Sequence, residues 1–225
     1  MKIIVGITTW NKRINDCRTT IESMLKQTRK PDAIELNLDL ENFPRGLADI
    51  PEWLKEMEAM NDNLWIYFRQ SDIKCYQKFI PTIRRHCGTR YILVTLDDDN
   101  DYPPEYLERI EKNMENADWL CTTHDVYTFG QYMSYGPRAI GAMLSKIDDD
   151  AIKNCPLDDH LIFHLMNKFR LVRGKNIGLQ PKDLELGYSF RRYWLKDDPA
   201  NVRHGDYPRE QFVKEREYMH KRGIV

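Results

Sequence analysis

The sequence predicts an α/β domain with a mostly parallel β-sheet and helices on both faces of that sheet. Through about residue 130, apolar β-branched runs alternate with segments whose apolar residues recur at helical spacing. Such alternation favours parallel pairing, because each helix returns the chain to the same edge of the sheet. Polar loops follow the predicted strands, and one of them carries four carboxylates within Asp97–Asp101. We expect the 225 residues to form one domain with a less regular second half.

The predicted elements follow one another as five strands with four intervening helices. Strands are predicted from short apolar, β-branched runs, and helices from apolar residues three and four positions apart. The predicted strands are Lys2–Thr8, Ala33–Leu40, Leu64–Arg69, Arg90–Leu96 and Ala117–Phe129. The predicted helices are Asn15–Gln27, Pro51–Met60, Cys75–His86 (with a kink or a new start at Pro81) and Glu105–Asn116.

The second half of the chain carries fewer signals. It contains a turn at Gly136–Pro137, an apolar stretch at Ala139–Leu144 and a predicted helix around Asp158–Phe169. The mixed-charge segment Glu210–Arg222 is predicted to be a packed or solvated C-terminal helix rather than a membrane anchor.

Composition excludes several classes of protein. Hydrophobic residues make up 41% and charged residues 31% of the chain, which is typical of globular proteins. A formal net charge of -1 argues against a nucleic-acid-binding protein. No apolar run approaches the ~18 residues of a transmembrane helix. Five cysteines without C-x-x-C spacing predict free thiols in a reducing compartment, and therefore a cytoplasmic location.

The acidic run Asp97–Asp101 is the strongest functional signal in the sequence. Clustered carboxylates repel one another at a strand end, and a divalent cation bound by their oxygens would remove that repulsion. Ligands of open α/β sheets bind outside the carboxyl ends of the strands. We therefore expect Asp97, Asp98 and Asp99 to lie at a site for a metal and a diphosphate. The alternative is an acidic loop that caps the following helix.

The three preceding strand ends carry polar residues as well. Thr8–Arg13 has neither G-x-G-x-x-G nor a P-loop motif, but its hydroxyls, its aromatic ring and its cations, including Arg13, suit a base and a phosphate. Asp39 and Glu41 could accept from a base or a ribose hydroxyl. Lys74 and Lys78, four residues apart, could share a helix face that is directed at the sheet edge. Each loop could also be an ordinary polar surface; the joint pattern favours a binding site.

Two further candidates lie in the second half. Asp158 and Asp159 open a predicted helix, where acids either cap the helix or, beside a metal site, act as a general base. His204 lies in a turn-rich segment and is either a third metal ligand or an ordinary loop histidine.

These motifs together resemble family 2 of the GT-A-type glycosyltransferases. Thr8–Arg13 resembles the family's first nucleotide loop, T-x-Y-N-K/R, and Ser23–Thr28 resembles its S-x-L-x-Q-T helix end. Thr95–Pro103 resembles its D-x-D segment. Asp72–Pro81 is similar to the D-x-K-x-x-x-K-x-x-P segment of bacterial and viral relatives. The resemblance is good over residues 1–130 and weak after about Gly187.

The resemblance implies a Rossmann-like GT-A fold, with residues 1–130 binding a nucleotide sugar and residues 131–225 facing the acceptor. It implies metal-dependent transfer of a sugar from a nucleotide diphosphate donor, with a UDP-sugar as the expected donor, to an acceptor hydroxyl with inversion. The resemblance implies Thr8, Trp10 and Asp39 or Glu41 for the base, and Asp97 for the ribose or diphosphate. It also implies that Lys78 approaches the nucleotide, that Asp99 binds Mn²⁺ (or Mg²⁺), and that Asp159 is the general base.

Departures from the family pattern leave alternatives open. The first acid of the family's E-D motif is an aspartate here, so Asp158 stays an alternative base to Asp159. Phe190–Trp194 does not match Q-x-x-R-W, which argues against a processive polysaccharide synthase. A retaining GT-A transferase and a non-catalytic sugar- or nucleotide-binding module remain the other interpretations. A nucleotidyltransferase would need glycines in Thr8–Arg13, and this loop has none.

Overall fold

The computed structural model of the protein describes residues 1–121, 133–144, 146–156, 158–172 and 209–225. Its strands are β1 (Lys2–Ile7), β2 (Ala33–Asp39), β3 (Leu64–Arg69), β4 (Tyr91–Leu96), β5 (Trp119–Cys121) and β6 (Met133–Tyr135). They form one six-stranded sheet in the order β3-β2-β1-β4-β6-β5. Strands β1 to β4 pair in parallel, and β6 runs antiparallel to both of its neighbours. The predicted α/β class with a mostly parallel sheet is confirmed.

Helices flank this sheet in the chain order that the sequence predicts. The α-helices are α1 (Cys17–Leu25), α2 (Glu52–Met60), α3 (Ile80–Arg85), α4 (Tyr106–Met114), α5 (Pro137–Leu144), α6 (Asp149–Asn154), α7 (Asp158–Lys168) and the C-terminal helix Arg209–Lys221. Two 3₁₀ helices, Gly46–Ala48 and Lys74–Lys78, lie between them. Each predicted helix is found, within a few residues at its ends, where the chain is described.

The core forms as two apolar layers, one on each face of the sheet. Successive side chains of a strand point to opposite faces. Ile3, Val5 and Ile7 of β1 therefore pack with α1, α2 and α4, while Ile4 packs with α3, α5 and α7 on the other face. Both layers bury residues of β4 as well. The sheet is thus covered on both faces, which leaves its edges and strand ends for binding.

Pro81 divides the predicted helix Cys75–His86 into two pieces. The chain forms the 3₁₀ helix Lys74–Lys78 and then begins α3 at Ile80, with Pro81 in the first turn. Proline fits the first turn because the backbone N–H that it lacks has no partner there, whereas deeper in a helix it breaks the hydrogen-bond ladder. The expected new start is confirmed.

The elements found in the second half of the chain differ more from the predicted elements than those of the first half do. Strand β5 covers three residues of the predicted Ala117–Phe129, and residues 122–132 lie outside the described part. Pro137 begins helix α5 rather than completing a turn, because it occupies the first helical position. Helix α6 was not predicted; it is short and polar, and the Asp148 carboxylate caps it by accepting from the Ala151 N–H at 2.8 Å.

Two general expectations can be compared with the described residues. No helix among them has both the length and the apolar character required to cross a bilayer. Cys17, Cys75, Cys87 and Cys155 are free thiols, as the absence of paired spacing predicts.

Candidate functional site

The polar loops after β1 to β4 leave the sheet at one edge, because these four strands are parallel. Ile7 at the end of β1 is paired with Leu96 at the end of β4, so the loops Thr8–Arg13 and Asp97–Asp101 begin side by side. Asp39 at the end of β2 is paired with Arg69 at the end of β3. The four segments that the sequence analysis selected therefore share the carboxyl edge of the sheet.

Asp98 joins the first and fourth of these loops. Its side chain is buried, and its two oxygens accept from the Thr9 hydroxyl at 2.5 Å and from Arg13 Nη2 at 2.7 Å. Thr9 was not among the predicted site residues, although it lies within the T-T-W-N-K-R run. Asp98 thus holds the two loops together.

Arg13 also reaches the next carboxylate. The same Nη2 atom lies 2.9 Å from Asp99 Oδ2, and only 12% of the Arg13 side chain is exposed. Asn100 Nδ2 donates to the other oxygen of Asp99 at 2.9 Å. One buried guanidinium therefore bridges two neighbouring carboxylates of the acidic run.

The acidic run carries more negative charge than Arg13 neutralises. Burial raises the pKa of Asp98 to about 7, although the Arg13 guanidinium and the Thr9 hydroxyl act in the opposite direction. Burial also raises the pKa of Asp99, with a further contribution from Asp97. Since added positive charge favours the ionised carboxylates, a cation near this loop would be bound favourably.

Helix α1 positions the turn that follows the acidic run. The hydroxyl of Thr20 accepts from the Asn100 N–H at 3.1 Å and lies 2.7 Å from the Asn100 carbonyl oxygen. The Tyr102 hydroxyl accepts from the Asp97 N–H at 3.2 Å. In the sequence Thr20 is one of several polar residues among the apolar positions of this helix, so its role as an anchor could not be distinguished there.

Lys78 brings a second cation to the acidic run from the 3₁₀ helix. Its side chain is 8% exposed, and Nζ lies 3.4 Å from Asp97 Oδ1. The 3₁₀ helix approaches β1 so closely that a Cβ atom on Gly6 would overlap the carbonyl oxygen of Lys78. Glycine at position 6 is therefore what allows Lys78 to lie over the strand ends.

The expectation that Lys74 and Lys78 share a helix face is wrong. A 3₁₀ helix has three residues per turn, so positions four apart point in different directions. Lys78 is buried beside Asp97, whereas the exposed Lys74 is paired with Asp72. Only Lys78 belongs to the acidic site.

The residues expected at the base lie along the same edge. Thr8 donates its hydroxyl to the Asn37 carbonyl at 2.8 Å. Asp39 is buried and accepts from the backbone and side-chain amides of Asn42 at 2.8 to 3.0 Å, and Glu41 is exposed. Lys12 Nζ lies 5.1 Å from the ring centre of Trp10, whose buried Nε1 has no hydrogen-bond partner within the described residues.

The predicted catalytic acids can be followed only in part. The backbone of Asp158 and Asp159 begins α7, as predicted, but their side chains lie outside the described part of the chain. His204 lies entirely outside it. The distance from these groups to the acidic run therefore stays a prediction.

A metal ion needs several donors that converge on one point. Within the described ranges, no group of three or more His, Cys, Asp or Glu side chains is arranged to hold a metal ion. Asp98 and Asp99 face Arg13, and Asp97 faces Lys78. As they are arranged, the described residues do not form a metal site by themselves. They form an alternating set of carboxylates and cations that can bind a polar, charged ligand.

Comparison with known proteins gives matches at the level of structure. No protein-family model matches the chain. No curated protein sequence matches it either. A crystal structure of residues 1–349 of TarS from S. aureus superposes with a TM-score of 0.56 at 13% sequence identity; the match covers 77% of this chain and 57% of the TarS chain.

Two structures of 4-diphosphocytidyl-2C-methyl-D-erythritol synthase, one of them from Anaerococcus prevotii, give lower TM-scores of 0.49 and 0.48. Each is 11% identical in sequence, and each match covers 82% of this chain and 96% or 93% of the synthase. The likeness to TarS, together with the sheet order and the parallel strands, shows that this chain has a GT-A-like fold.

Proposed function

We propose that this protein is a glycosyltransferase that moves a sugar from a nucleotide diphosphate donor, a UDP-sugar in the first instance, to an acceptor hydroxyl. One observation carries the proposal. A partly buried acidic run, with Arg13 and Lys78 beside it, lies at the carboxyl edge of four parallel strands in a GT-A-like fold. Ligands of open α/β sheets bind at that edge.

The chain's own residues suggest how the donor is oriented. Trp10 offers an aromatic surface for the base, with Thr8, Asp39 and Glu41 supplying polar contacts around it. Lys78 is poised at Asp97, where its ammonium would pair with diphosphate oxygens as the negative charge of the leaving group develops. Arg13 holds Asp98 and Asp99 in place for this arrangement.

Transfer requires a base on the acceptor side, and Asp159 is our candidate, with Asp158 as the alternative. The carboxylate takes the proton of the acceptor hydroxyl, and the acceptor oxygen forms a bond to the anomeric carbon. The bond from that carbon to the diphosphate oxygen breaks, and its electron pair leaves with the diphosphate. Attack from the face opposite the leaving group inverts the anomeric configuration.

We also propose that a divalent cation, Mn²⁺ or Mg²⁺, takes part in donor binding. Carboxylate oxygens are the ligands that hard cations prefer. Asp97 and Asp99 would be ligands, with His204 as a further one. The described side chains do not form a complete metal site by themselves. Nucleotide binding measured with and without Mn²⁺ tests whether the ion takes part.

A thermal-shift panel tests the donor site. UDP, GDP, CDP and TDP, each with and without Mn²⁺, are added to the wild type, to Asp99→Ala and to the control Glu56→Ala on the exposed face of α2. A nucleotide at 100 times its Kd stabilises the fold by about 2.7 kcal/mol, which raises Tm by roughly 5 °C or more. We expect this for one nucleotide with Mn²⁺ in the wild type and the control, and not in Asp99→Ala.

Two results would contradict the proposal. If no nucleotide raises Tm, the acidic run is structural and the binding-module interpretation replaces the transferase. If the shift is the same without Mn²⁺ and in Asp99→Ala, the metal proposal fails while nucleotide binding stands.

The general base is tested by turnover. We expect Asp159→Asn to keep nucleotide binding and to lose transfer by about 10²-fold or more, the usual size of a general-base contribution. Asp158→Asn is the matched control, since it makes the same change one residue away. Full transfer in Asp159→Asn with loss in Asp158→Asn would assign the base to Asp158.

We further propose, from the cysteine content of the chain, that the protein is located in the cytoplasm. The four described cysteines are free thiols, which persist in a reducing compartment. Fractionation of the native host with antibody detection checks this; recovery of the protein from an oxidising compartment would contradict it.

A further inference from the structure

A second cavity lies beside the candidate donor site, at the carboxyl end of β3. Its volume is about 550 Å³. It is lined by the end of β3 and the loop after it, by the start of the 3₁₀ helix, and by α6 with the turn that follows α6. We call it the β3 cavity; its lining includes Arg69, Ser71, Lys74, Tyr76, Lys153 and Pro156.

The 3₁₀ helix Lys74–Lys78 separates this cavity from the acidic run. Lys74 and Tyr76 line the cavity, and Lys78 at the other end of the same helix faces Asp97. Five residues of 3₁₀ helix span only about 8 Å, because each residue adds roughly 2 Å. A ligand in the cavity would therefore lie within the length of a sugar or two from the diphosphate position.

The same helix also fixes the chain segment that leads into α7. The Tyr76 hydroxyl donates to the Cys155 carbonyl at 2.5 Å, and the Cys75 thiol donates to the Pro156 carbonyl at 3.5 Å. Pro156 lines the cavity and precedes the first residue of α7, Asp158, by two positions. The cavity thus lies between the candidate donor site and the backbone that carries the candidate base.

The lining of the cavity holds three cations, Arg69, Lys74 and Lys153, and two acids, Asp72 and Asp149. Of its two acids, Asp72 is paired with Lys74, and Asp149 is paired with Arg84, whose Nη2 lies 2.9 Å away. Arg69 and Lys153 remain, and no ion pair to either is found within the described residues. An anion would be attracted to this pair of cations.

Arg69 adds a specific hydrogen-bonding requirement. One of its guanidinium nitrogens, Nη1, is buried and has no hydrogen-bond partner among the described residues. A buried donor without an acceptor is unfavourable, and an oxyanion in the cavity would supply the missing acceptor if the guanidinium turned towards it. Arginine is also the side chain best suited to planar recognition of phosphate or carboxylate oxygens.

We propose that the β3 cavity binds an anionic group of the acceptor, a phosphate or a carboxylate, through Arg69 and Lys153, so that the acceptor hydroxyl is presented towards the start of α7. The inference rests on the proposed transferase function, because it assigns the cavity to the acceptor of that reaction. It narrows the acceptor class to molecules that carry both a hydroxyl and an oxyanion.

An NMR titration of the full chain tests this inference. The donor site is first saturated with the nucleotide that stabilises the protein best. Inorganic phosphate or acetate is then added at constant ionic strength, while the backbone amides of Ser71, Lys74 and Lys153 are followed. We expect saturable shifts at these amides, and the more effective of the two anions distinguishes a phosphate-bearing from a carboxylate-bearing acceptor.

Substitutions of the two cavity cations test whether the anion binds in the β3 cavity. Arg69→Gln and Lys153→Gln should each weaken anion binding by about tenfold, the loss of one charge-assisted hydrogen bond. Lys153 is exposed, so its variant folds even if Arg69→Gln does not. Lys112→Gln, on the exposed surface of α4, removes the same charge elsewhere and should leave binding unchanged.

Four results would overturn the inference. If phosphate and acetate shift none of the three amides in nucleotide-saturated protein, or bind to both cavity variants as well as to the wild type, the cavity is not an anion site, while the donor site stands. If Arg69→Gln loses nucleotide binding instead of anion binding, Arg69 belongs to the donor site. If the wild type binds no nucleotide at all, the proposed function itself fails, and the acceptor role of the cavity fails with it.

Discussion

At the scale of single residues, Arg13 is the cation that neutralises and holds two carboxylates of the acidic run. Its guanidinium lies 2.7 and 2.9 Å from carboxylate oxygens of Asp98 and Asp99, and it is largely shielded from water. Without it, two partly or fully buried carboxylates would face each other with no cation between them. Removing one partner of a buried ion pair is costly, because the remaining charge stays buried and unpaired.

We therefore expect Arg13→Met to lower the free energy of unfolding of the ligand-free protein by about 3–5 kcal/mol. Urea unfolding at pH 7.5 measures this. Arg45→Met is the control, since Arg45 forms an ion pair with Asp49 on the surface and 74% of its side chain is exposed. That variant should be nearly as stable as the wild type; equal losses in the two variants would show that the burial of Arg13 has no special effect.

At the scale of elements, the packing of the 3₁₀ helix against β1 connects the fold to the site. Gly6 has no side chain, and the carbonyl of Lys78 occupies the space where one would lie. The Gln77 side chain adds a hydrogen bond to the Leu38 carbonyl at 2.7 Å, which ties the same helix to the end of β2. The position of Lys78 is thus a consequence of backbone packing.

We expect Gly6→Ala to destabilise the protein by about 1–3 kcal/mol, since the new methyl group forces the 3₁₀ helix away from β1. It should also weaken nucleotide binding, because Lys78 is displaced with that helix. Denaturant unfolding and the thermal-shift panel give the two readouts.

Gly141→Ala is the matched control. A Cβ atom there meets nothing within 4 Å, and the residue lies within α5. Alanine should raise stability by roughly 0.5–1 kcal/mol, through its higher helix propensity, and leave nucleotide binding unchanged. Similar effects of the two substitutions would contradict the packing argument.

Helices α3 and α6 show what local sequence could and could not predict at this scale. The helix ending at Arg85 was predicted because apolar spacing and Pro81 mark it. Helix α6 was not, because six mostly polar residues have too few apolar positions for a period to be seen. The antiparallel direction of β6 depends on pairing between distant segments, which no local pattern reveals.

At the scale of the whole molecule, a buried polar cluster joins β2 to α3 on one face of the sheet. Glu35 is 1% exposed and accepts hydrogen bonds from Thr82 at 2.6 Å and Arg85 at 3.0 Å; His86 Nε2 lies 2.7 Å away. Burial alone would raise the pKa of Glu35, but the hydrogen bonds from these partners outweigh it, so the pKa is lower than usual.

The lowered pKa of Glu35 predicts that this cluster contributes to the loss of folding stability in acid. Because the folded pKa of Glu35 is lower than the unfolded value of about 4.3, the stabilising contribution is fully present above that pH and is lost as the pH falls through the folded pKa. We expect Glu35→Gln to cost about 1–3 kcal/mol at pH 7, and the difference from the wild type to narrow between about pH 5 and pH 3. Urea unfolding across this range measures the difference.

The exposed acid Glu56 provides the control for this measurement. Glu56→Gln makes the same substitution at an exposed position and should differ little from the wild type in stability. A difference for Glu35→Gln that stays constant or widens towards pH 3 would contradict the assigned direction of the shift.

Local sequence patterns are enough to predict the class of the fold and the edge at which its polar residues gather. Strand and helix periods depend on neighbouring residues, and parallel strands must present the residues that follow them at one edge. Which charges meet depends instead on tertiary contacts. Thr9, Arg13 and Thr20 hold the acidic run. Lys78 faces that run while Lys74 points away from it, and the β3 cavity forms between β3 and α6. Local patterns do not reveal these contacts, because they join residues tens of positions apart and depend on how closely the backbone segments approach one another.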